Sequence, residues 1–206
     1  MKKNNCLKAV NVSRETTELL NKFVVLLKKW NRSINLVSQS SISNIWERHI
    51  LDSAQLGSFL RFDKQTWVDF GSGAGFPGIV IAVIAKTNFP RVRVILIESD
   101  QRKAVFLREV SRELNLNVLT LSERIEDCPR LNADIISARA LAPLKKLLVY
   151  FDVHSKIGCK GLFIKGKNVG SELNQVKVYD KFNIEIKPNI VNSDGFIIEV
   201  DKKRKF

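Results

Sequence analysis

The sequence predicts an α/β fold, in which a mostly parallel, doubly wound sheet ends in an antiparallel hairpin and is preceded by a helical extension. Three observations predict it. From Thr66 onward, short β-branched runs alternate regularly with helical stretches, the pattern of parallel strands joined by crossover helices. Glycines stand at 71, 73 and 75, between the first such run and the apolar stretch Ile79 to Ala85. Past residue 180 the pattern changes to period two: Lys181 to Lys187 and Phe196 to Val200 alternate apolar with polar residues around the turn Asn192-Ser193-Asp194-Gly195.

In chain order, Ser13 is placed to cap a helix whose first turn carries Glu15 and Glu18. Its apolar face reads Leu19, Leu20, Phe23, Val24, Leu27 and Trp30, and it should end near Asn31. A polar connector, Ser38 to Ser41, leads to a second amphipathic helix with Ile42, Ile45, Trp46, His49 and Ile50, closed near Gly57. Strands are expected at 66–70, 92–98, 118–121, 133–137 and 161–165, and helices at 77–85, 101–114 and 143–153, with a short one near 122–127. Pro77 suits the first helical position, where a missing N–H costs nothing.

The formal net charge is +13, from 34 Lys and Arg against 21 Asp and Glu, far beyond what solubility needs. It points to a polyanionic partner, nucleic acid first, unless the chain is basic for no reason of binding. The basic residues are dispersed (Lys28-Lys29, Arg102-Lys103, Lys145-Lys146, Lys165, Lys167, Lys202 to Lys205), which favours a folded basic face over an arm. Cys6, Cys128 and Cys159 are odd in number and widely spaced, so no disulfide and no metal site is expected, and a cytoplasmic setting fits. No apolar segment follows Met1-Lys2-Lys3, and no run approaches the roughly 18 residues of a membrane span.

The chemistry centres on Asp69-Phe70-Gly71-Ser72-Gly73-Ala74-Gly75-Phe76-Pro77-Gly78. Glycines after a strand let the backbone turn sharply and approach a ligand, while the next helix offers unpaired N–H groups. A dinucleotide fingerprint needs glycine where Phe76 stands, and no Gly-Lys-Ser/Thr follows for a P-loop. Gly-x-Gly-x-Gly fits the S-adenosylmethionine loop of Rossmann-like methyltransferases, though a bare tight turn has the same letters. Glu98, ending the next strand, is placed to accept both hydroxyls of a ribose in the same crevice.

Arg139 and Lys165, at the ends of the fourth and fifth strands, border that crevice too. A guanidinium fork suits a carboxylate or a phosphate, but an arginine there equally suits a structural pair with a nearby acid. His49 sits on an apolar stripe, where a lone histidine is more often core than ligand. Asp52 is three residues on, on the same helix face. Cys128-Pro129 reverses the Pro-Cys order of base C5-methyltransferases, and no Asn/Asp-Pro-Pro-Tyr/Phe motif for amino-group methylation is present.

With these residues in view, the chain resembles the bacterial small-subunit (16S) ribosomal RNA guanine-N7 methyltransferases, the glucose-inhibited division protein B family. The resemblance runs from about Trp30 to Gly166. It rests on Arg48-His49-Ile50-Leu51-Asp52-Ser53, the glycine loop, Glu98-Ser99 with Arg102-Lys103, Arg124-Ile125-Glu126, Ser137-Ala138-Arg139-Ala140 and Lys165-Gly166. It implies a Rossmann-like class I methyltransferase that uses S-adenosylmethionine to methylate guanine N7 in 16S ribosomal RNA. Gly71, Gly73, Gly75 and Phe76 would form the cofactor loop, Glu98 would hold the ribose, Ile125 and Glu126 would border the adenine, and Arg139 would enter the cofactor pocket. Arg139, Lys165, His49 and Asp52 are the candidates for positioning substrate. Residues 1–62 would be the helical extension and 63–206 the cofactor-binding catalytic domain, together one structural unit and a monomer. Its partner would be 16S ribosomal RNA, a small ribosomal subunit or its precursor particle, with no membrane and no metal.

Many members place an arginine before the last strand, where this chain has Asn192-Ser193-Asp194-Gly195, so Lys202, Lys203, Arg204 and Lys205 are the candidates to replace its RNA contacts. Two alternatives stay open: a methyltransferase acting on another RNA or a small molecule, and an RNA-binding protein on a degenerate methyltransferase fold.

Overall fold

A computed structural model describes residues 12–176 and 181–202. Cys6 and the tail residues Lys203, Arg204 and Lys205 lie outside the described residues. Among the described residues, seven strands form one sheet: β1 (Thr66–Phe70), β2 (Arg93–Ile97), β3 (Val118–Leu121), β4 (Ala133–Arg139), β5 (Ser155–Lys165), β6 (Phe182–Pro188) and β7 (Phe196–Lys202). Their order is β3-β2-β1-β4-β5-β7-β6; the first five are parallel, and β7 runs antiparallel to both β5 and β6. The chain order reverses between β1 and β4, which opens a crevice at the carboxyl ends of those strands. The neighbouring β1 and β2 end level, Phe70 beside Ile97.

Side chains alternate between two cores, as the period of a strand dictates. Trp67, Val94, Leu96 and Ile135 face one apolar cluster; Val68, Ile95, Ile97 and Ile136 face the other. The first cluster is covered by α1 (Arg14–Trp30), α4 (Gly78–Asn88) and α5 (Gln101–Glu113), the second by α6 (Leu144–His154). Ser13 caps α1 as expected, accepting from Thr16 N at 3.1 Å, and Leu20, Phe23, Val24 and Leu27 are buried against α4 and α5. Helix α4 is apolar all round, because α1 covers the side that would otherwise meet water.

The structure corrects the expected second helix. The segment is broken into α2 (Gln39–Ile42), a π-helical turn over Trp46–Leu51, α3 (Asp52–Ala54) and a 3₁₀ turn over Gln55–Phe59. The wider turn carries His49, which meets Arg139, and the tighter one begins at Gln55, whose side chain turns back to Asp52. Smaller differences lie at the ends. Pro77 is the N-cap of α4 rather than its first helical residue. Strand β4 runs on to Arg139, and β5 begins at Ser155, with a register irregularity against β4 between Ala133 and Ile135. A further helix, α7 (Val169–Asn174), follows β5.

Candidate active site

The glycine loop is held from below by a buried carboxylate. Asp69 Oδ2 accepts from Gly78 N at 3.1 Å at the start of α4, and Asp69 Oδ1 accepts from Ser137 Oγ at 2.7 Å on the adjacent strand. Gly71, Gly73 and Gly75 have φ of 63°, 54° and 91°, a backbone that only glycine adopts freely. A Cβ on Gly75 would meet Ile79 and Phe23, and one on Gly78 would meet Leu96 and Asp69, so these two glycines serve packing. Among the described residues, a Cβ on Gly73 would touch only Gly71 O, at 3.8 Å, leaving open space in front of the loop.

That space is a cavity of about 560 Å³ at the carboxyl ends of β1, β2 and β4. Gly71, Gly73, Phe76, Glu98, Ile125, Glu126, Arg139 and His49 all line it; of the loop residues expected there, Gly75 does not. Glu98 is 8% exposed and receives two backbone donors, Gly73 N on Oε2 and Asp100 N on Oε1, both at 2.8 Å. A carboxylate has about four acceptor positions, so one remains on each oxygen for a pair of ligand hydroxyls.

Arg139 closes one wall. Its Nε lies 3.0 Å from Asp52 Oδ2, its Nη1 donates to His49 Nδ1 at 2.8 Å, and its Nη2 donates to Arg48 O at 2.6 Å. Of the five guanidinium donors, these three contacts leave two for a ligand. The next residue, Ala140, has φ of 51°, a strained conformation for alanine and of the kind that clusters at functional sites. Burial pushes Asp52 above and Arg139 below their ordinary pKa, each against the pull of the other. The structural pairing with an acid, open on the sequence, is therefore present, and Arg139 lines the cavity as well.

An arginine can only donate, so His49 Nδ1 is the acceptor and the neutral ring carries its proton on Nε2. Burial, then the charges of Arg139 and Arg48, lower its pKa to about 4. The ring stacks on Phe76 with centroids 4.9 Å apart, and Nε2 is buried without a hydrogen-bond partner among the described residues. His49 thus belongs both to the packing under the loop and to the cavity wall. Asp52 is not in the wall; it stands behind Arg139.

Lys165 departs from expectation. Its Nζ donates to Ala142 O at 2.6 Å and Glu172 Oε2 at 2.7 Å, its side chain is 10% exposed, and it does not line the cavity. Glu172 in turn accepts from Leu144 N at 2.5 Å, so the lysine fixes the 140–144 connection instead of facing a ligand. Glu126 accepts from Tyr150 Oη and pairs with Lys146 at 3.3 Å; the tyrosine bond first, then a backbone N–H and after it the lysine, hold its carboxyl down at about 2. Tyr150 and Lys146, four apart on α6, line the cavity and were missed on the sequence, although their spacing on one helix face was visible. Among the described residues no group of three or more His, Cys, Asp or Glu is placed to hold a metal, and no helix is long and apolar enough to cross a membrane.

Known proteins resemble this chain closely. A family model described as GidB, rRNA small subunit methyltransferase G, matches residues 16–193. A protein named ribosomal RNA small subunit methyltransferase G from Cereibacter sphaeroides is 43% identical over 200 residues, covering 97% of each chain. Its namesake from Parvibaculum lavamentivorans is 41% identical over 192 residues, covering 92% of this chain and 84% of that one. Among solved structures, a SAM-dependent methyltransferase from Aquifex aeolicus superposes with a TM-score of 0.59 at 17% identity, covering 86% of this chain and 97% of that one. A ribosomal protein L11 methylase from Lactobacillus delbrueckii does so with a TM-score of 0.61 at 16% identity, covering 76% and 79%. At such identities the structural likeness speaks for the fold.

Proposed function

The chain belongs to the GidB family, rRNA small subunit methyltransferase G, and from that membership we propose which residues carry its S-adenosylmethionine-dependent methylation of ribosomal RNA, and that the acceptor is guanine N7 in the 16S molecule. The observation that carries the reading is the cavity before Gly73, bounded by a carboxylate with free acceptor positions on one side and a guanidinium with two free donors on the other. These residues fit S-adenosylmethionine. Glu98 would take the ribose hydroxyls, Arg139 the carboxylate of the methionine part, Ile125 and Glu126 the edge of the adenine, and the glycine loop would make room between them. Bound there, S-adenosylmethionine supplies a methyl group on a positively charged sulfur.

Guanine N7 carries an exposed lone pair, so its methylation needs no proton removed and no general base. The residues present agree with that. His49 is held neutral with Nδ1 committed to Arg139, and Asp52 is committed to the same arginine. What the chain supplies is alignment of the acceptor with the methyl group in a fixed field. His49 and Arg139 are its candidates for positioning the base, and the base must be unpaired or turned out to reach them. Asp52 works behind them; Lys165 keeps only an indirect role, through the 140–144 connection.

Intact Glu98 and the unobstructed Gly73 favour a working enzyme over a degenerate binding fold. The net charge of +13 favours RNA over a small molecule. In the same reading, residues 1–62 are an extension to the catalytic domain 63–206, and the chain acts as a cytoplasmic monomer on 16S ribosomal RNA or a small-subunit particle. The test is transfer of labelled methyl from S-adenosylmethionine to small-subunit ribosomal RNA, with RNA affinity measured against salt. Several phosphate contacts, each contributing about −0.7 to the slope of log K against log salt, are expected. Transfer to RNA with no salt dependence would remove the basic face from the account.

A further inference from the structure

We propose that Asn189, in the connection from β6 to β7, is a positioning residue of the methyl-transfer site, acting through Asp52 on Arg139. Asn189 is 137 residues from Asp52 in sequence, in a stretch that reads as a plain hairpin turn. It is 6% exposed, and its Oδ1 accepts from the backbone N–H groups of Val191 and Asn192, both at 2.9 Å. With the oxygen committed to two donors, the amide nitrogen is turned the other way, and Nδ2 donates to Asp52 Oδ1 at 2.5 Å.

The connection is stitched to the broken helix a second time. Ile190 N donates to Gln55 Oε1 at 3.2 Å, and Gln55 Nε2 donates to Asp52 O at 2.8 Å and to Asp52 Oδ1 at 3.2 Å. The Asp52 carboxylate is therefore divided between two jobs. Its Oδ1 is gripped by two amides, and its Oδ2 is presented to Arg139 Nε. Both amides favour the ionised acid, which burial opposes. Arg139 is the cation facing Asp52, and Arg139 itself faces His49, Arg48 and Asp69. Without the Asn189 donor the carboxylate keeps only the longer Gln55 contact on Oδ1. It then protonates at higher pH and turns more freely, and Arg139 loses the anchor that sets its fork toward the cavity.

This inference rests on the proposed roles of Arg139 and Asp52. The decisive variant is Asn189→Asp, which keeps an acceptor for Val191 N and Asn192 N but replaces the donor by a carboxylate facing Asp52. Should it fail to fold, Asn189→Ser keeps an acceptor for the turn and is too short to reach Asp52. Methyl transfer to small-subunit RNA is followed against pH, per folded molecule. Relative to wild type, kcat/KM is expected to fall roughly tenfold to a hundredfold at neutral pH, the loss of a hydrogen bond to a buried charge. The acid limb of the pH profile should move upward, and adding the change to Asp52→Asn should cost little more.

A wild-type rate and profile in the Asn189 variant, or an undiminished further loss in the Asp52→Asn background, overturns the proposal. If Asp52→Asn and Arg139→Ala themselves retain full activity, the site reading and this inference fall together. If those two are impaired and Asn189→Asp is not, only this inference falls.

Discussion

Replacing Asp69 by asparagine is expected to change how stability depends on pH. The carboxylate is fully enclosed. Trp67 Nε1 donates to Ser137 Oγ at 2.8 Å, which commits the serine proton to Asp69, and Gly78 N occupies the other oxygen. Burial pushes the carboxyl up to about 6; the hydrogen bonds pull it back and the charge of Glu98 adds to the rise. An unfolded aspartate titrates near ~3.9. Between about 4 and about 6 the folded chain holds a proton that the unfolded chain has released, so stability falls as pH rises through that window. Roughly two pK units correspond to about 3 kcal/mol.

Asparagine carries no such titration, but its amide nitrogen must face either Gly78 N–H or the Ser137 hydroxyl. A buried donor is then left unpaired, at a cost of about 1–3 kcal/mol. The advantage of wild type over Asp69→Asn should therefore shrink by about 3 kcal/mol from pH 4 to pH 7.5. His49, whose depressed pKa makes stability fall toward acid, titrates in both proteins and cancels in the difference. Urea unfolding of the two proteins across this range measures it. Parallel stability curves would refute the assignment of a desolvated carboxylate beneath the loop.

Gly73→Val should fold, since its Cβ meets nothing closer than 3.8 Å, at the cost of about 1–3 kcal/mol for a positive φ. Calorimetry should find S-adenosylmethionine binding at least about tenfold weaker; unchanged affinity in the folded variant would take the cofactor away from this loop. Glu98→Ala should lose about 1–3 kcal/mol of cofactor affinity while the loop, deprived of the acceptor for Gly73 N, becomes easier to cleave by protease. His49, held near 4, should contribute no step to the rate between pH 6 and 8. An acid limb near 6.5 that vanishes in His49→Gln would show a proton-transfer role instead.

The strands and the switch point were legible because buried parallel strands announce themselves as short β-branched runs, and the glycine spacing located the cavity to within a residue. Glu98 was equally legible, being the last polar position of such a run. Two things were not. The π-helical turn at Trp46–Leu51 has the apolar spacing of an ordinary helix, and its long-range partner Arg139, which meets His49 and Arg48 O, stands far away in the sequence. Lys165 stands at a strand end like Arg139, but nothing local reveals that Glu172, seven residues later, draws its charge away from the crevice. Asn189 carries no local sign of its partner at all. Position along a strand shows which residues reach the crevice; long-range pairing decides which of them face it.

The acceptor atom is tested most directly by the chemistry of the product. Methylation at N7 leaves guanine cationic, so borohydride followed by aniline cleaves the RNA at that nucleotide. Small-subunit ribosomal RNA from cells carrying this chain should break at one guanine where RNA from cells lacking it stays whole, with the break restored by the wild-type chain and not by Gly73→Val. Identical cleavage patterns in the two RNAs, while the purified protein still transfers labelled methyl to RNA, would contradict N7 as the acceptor.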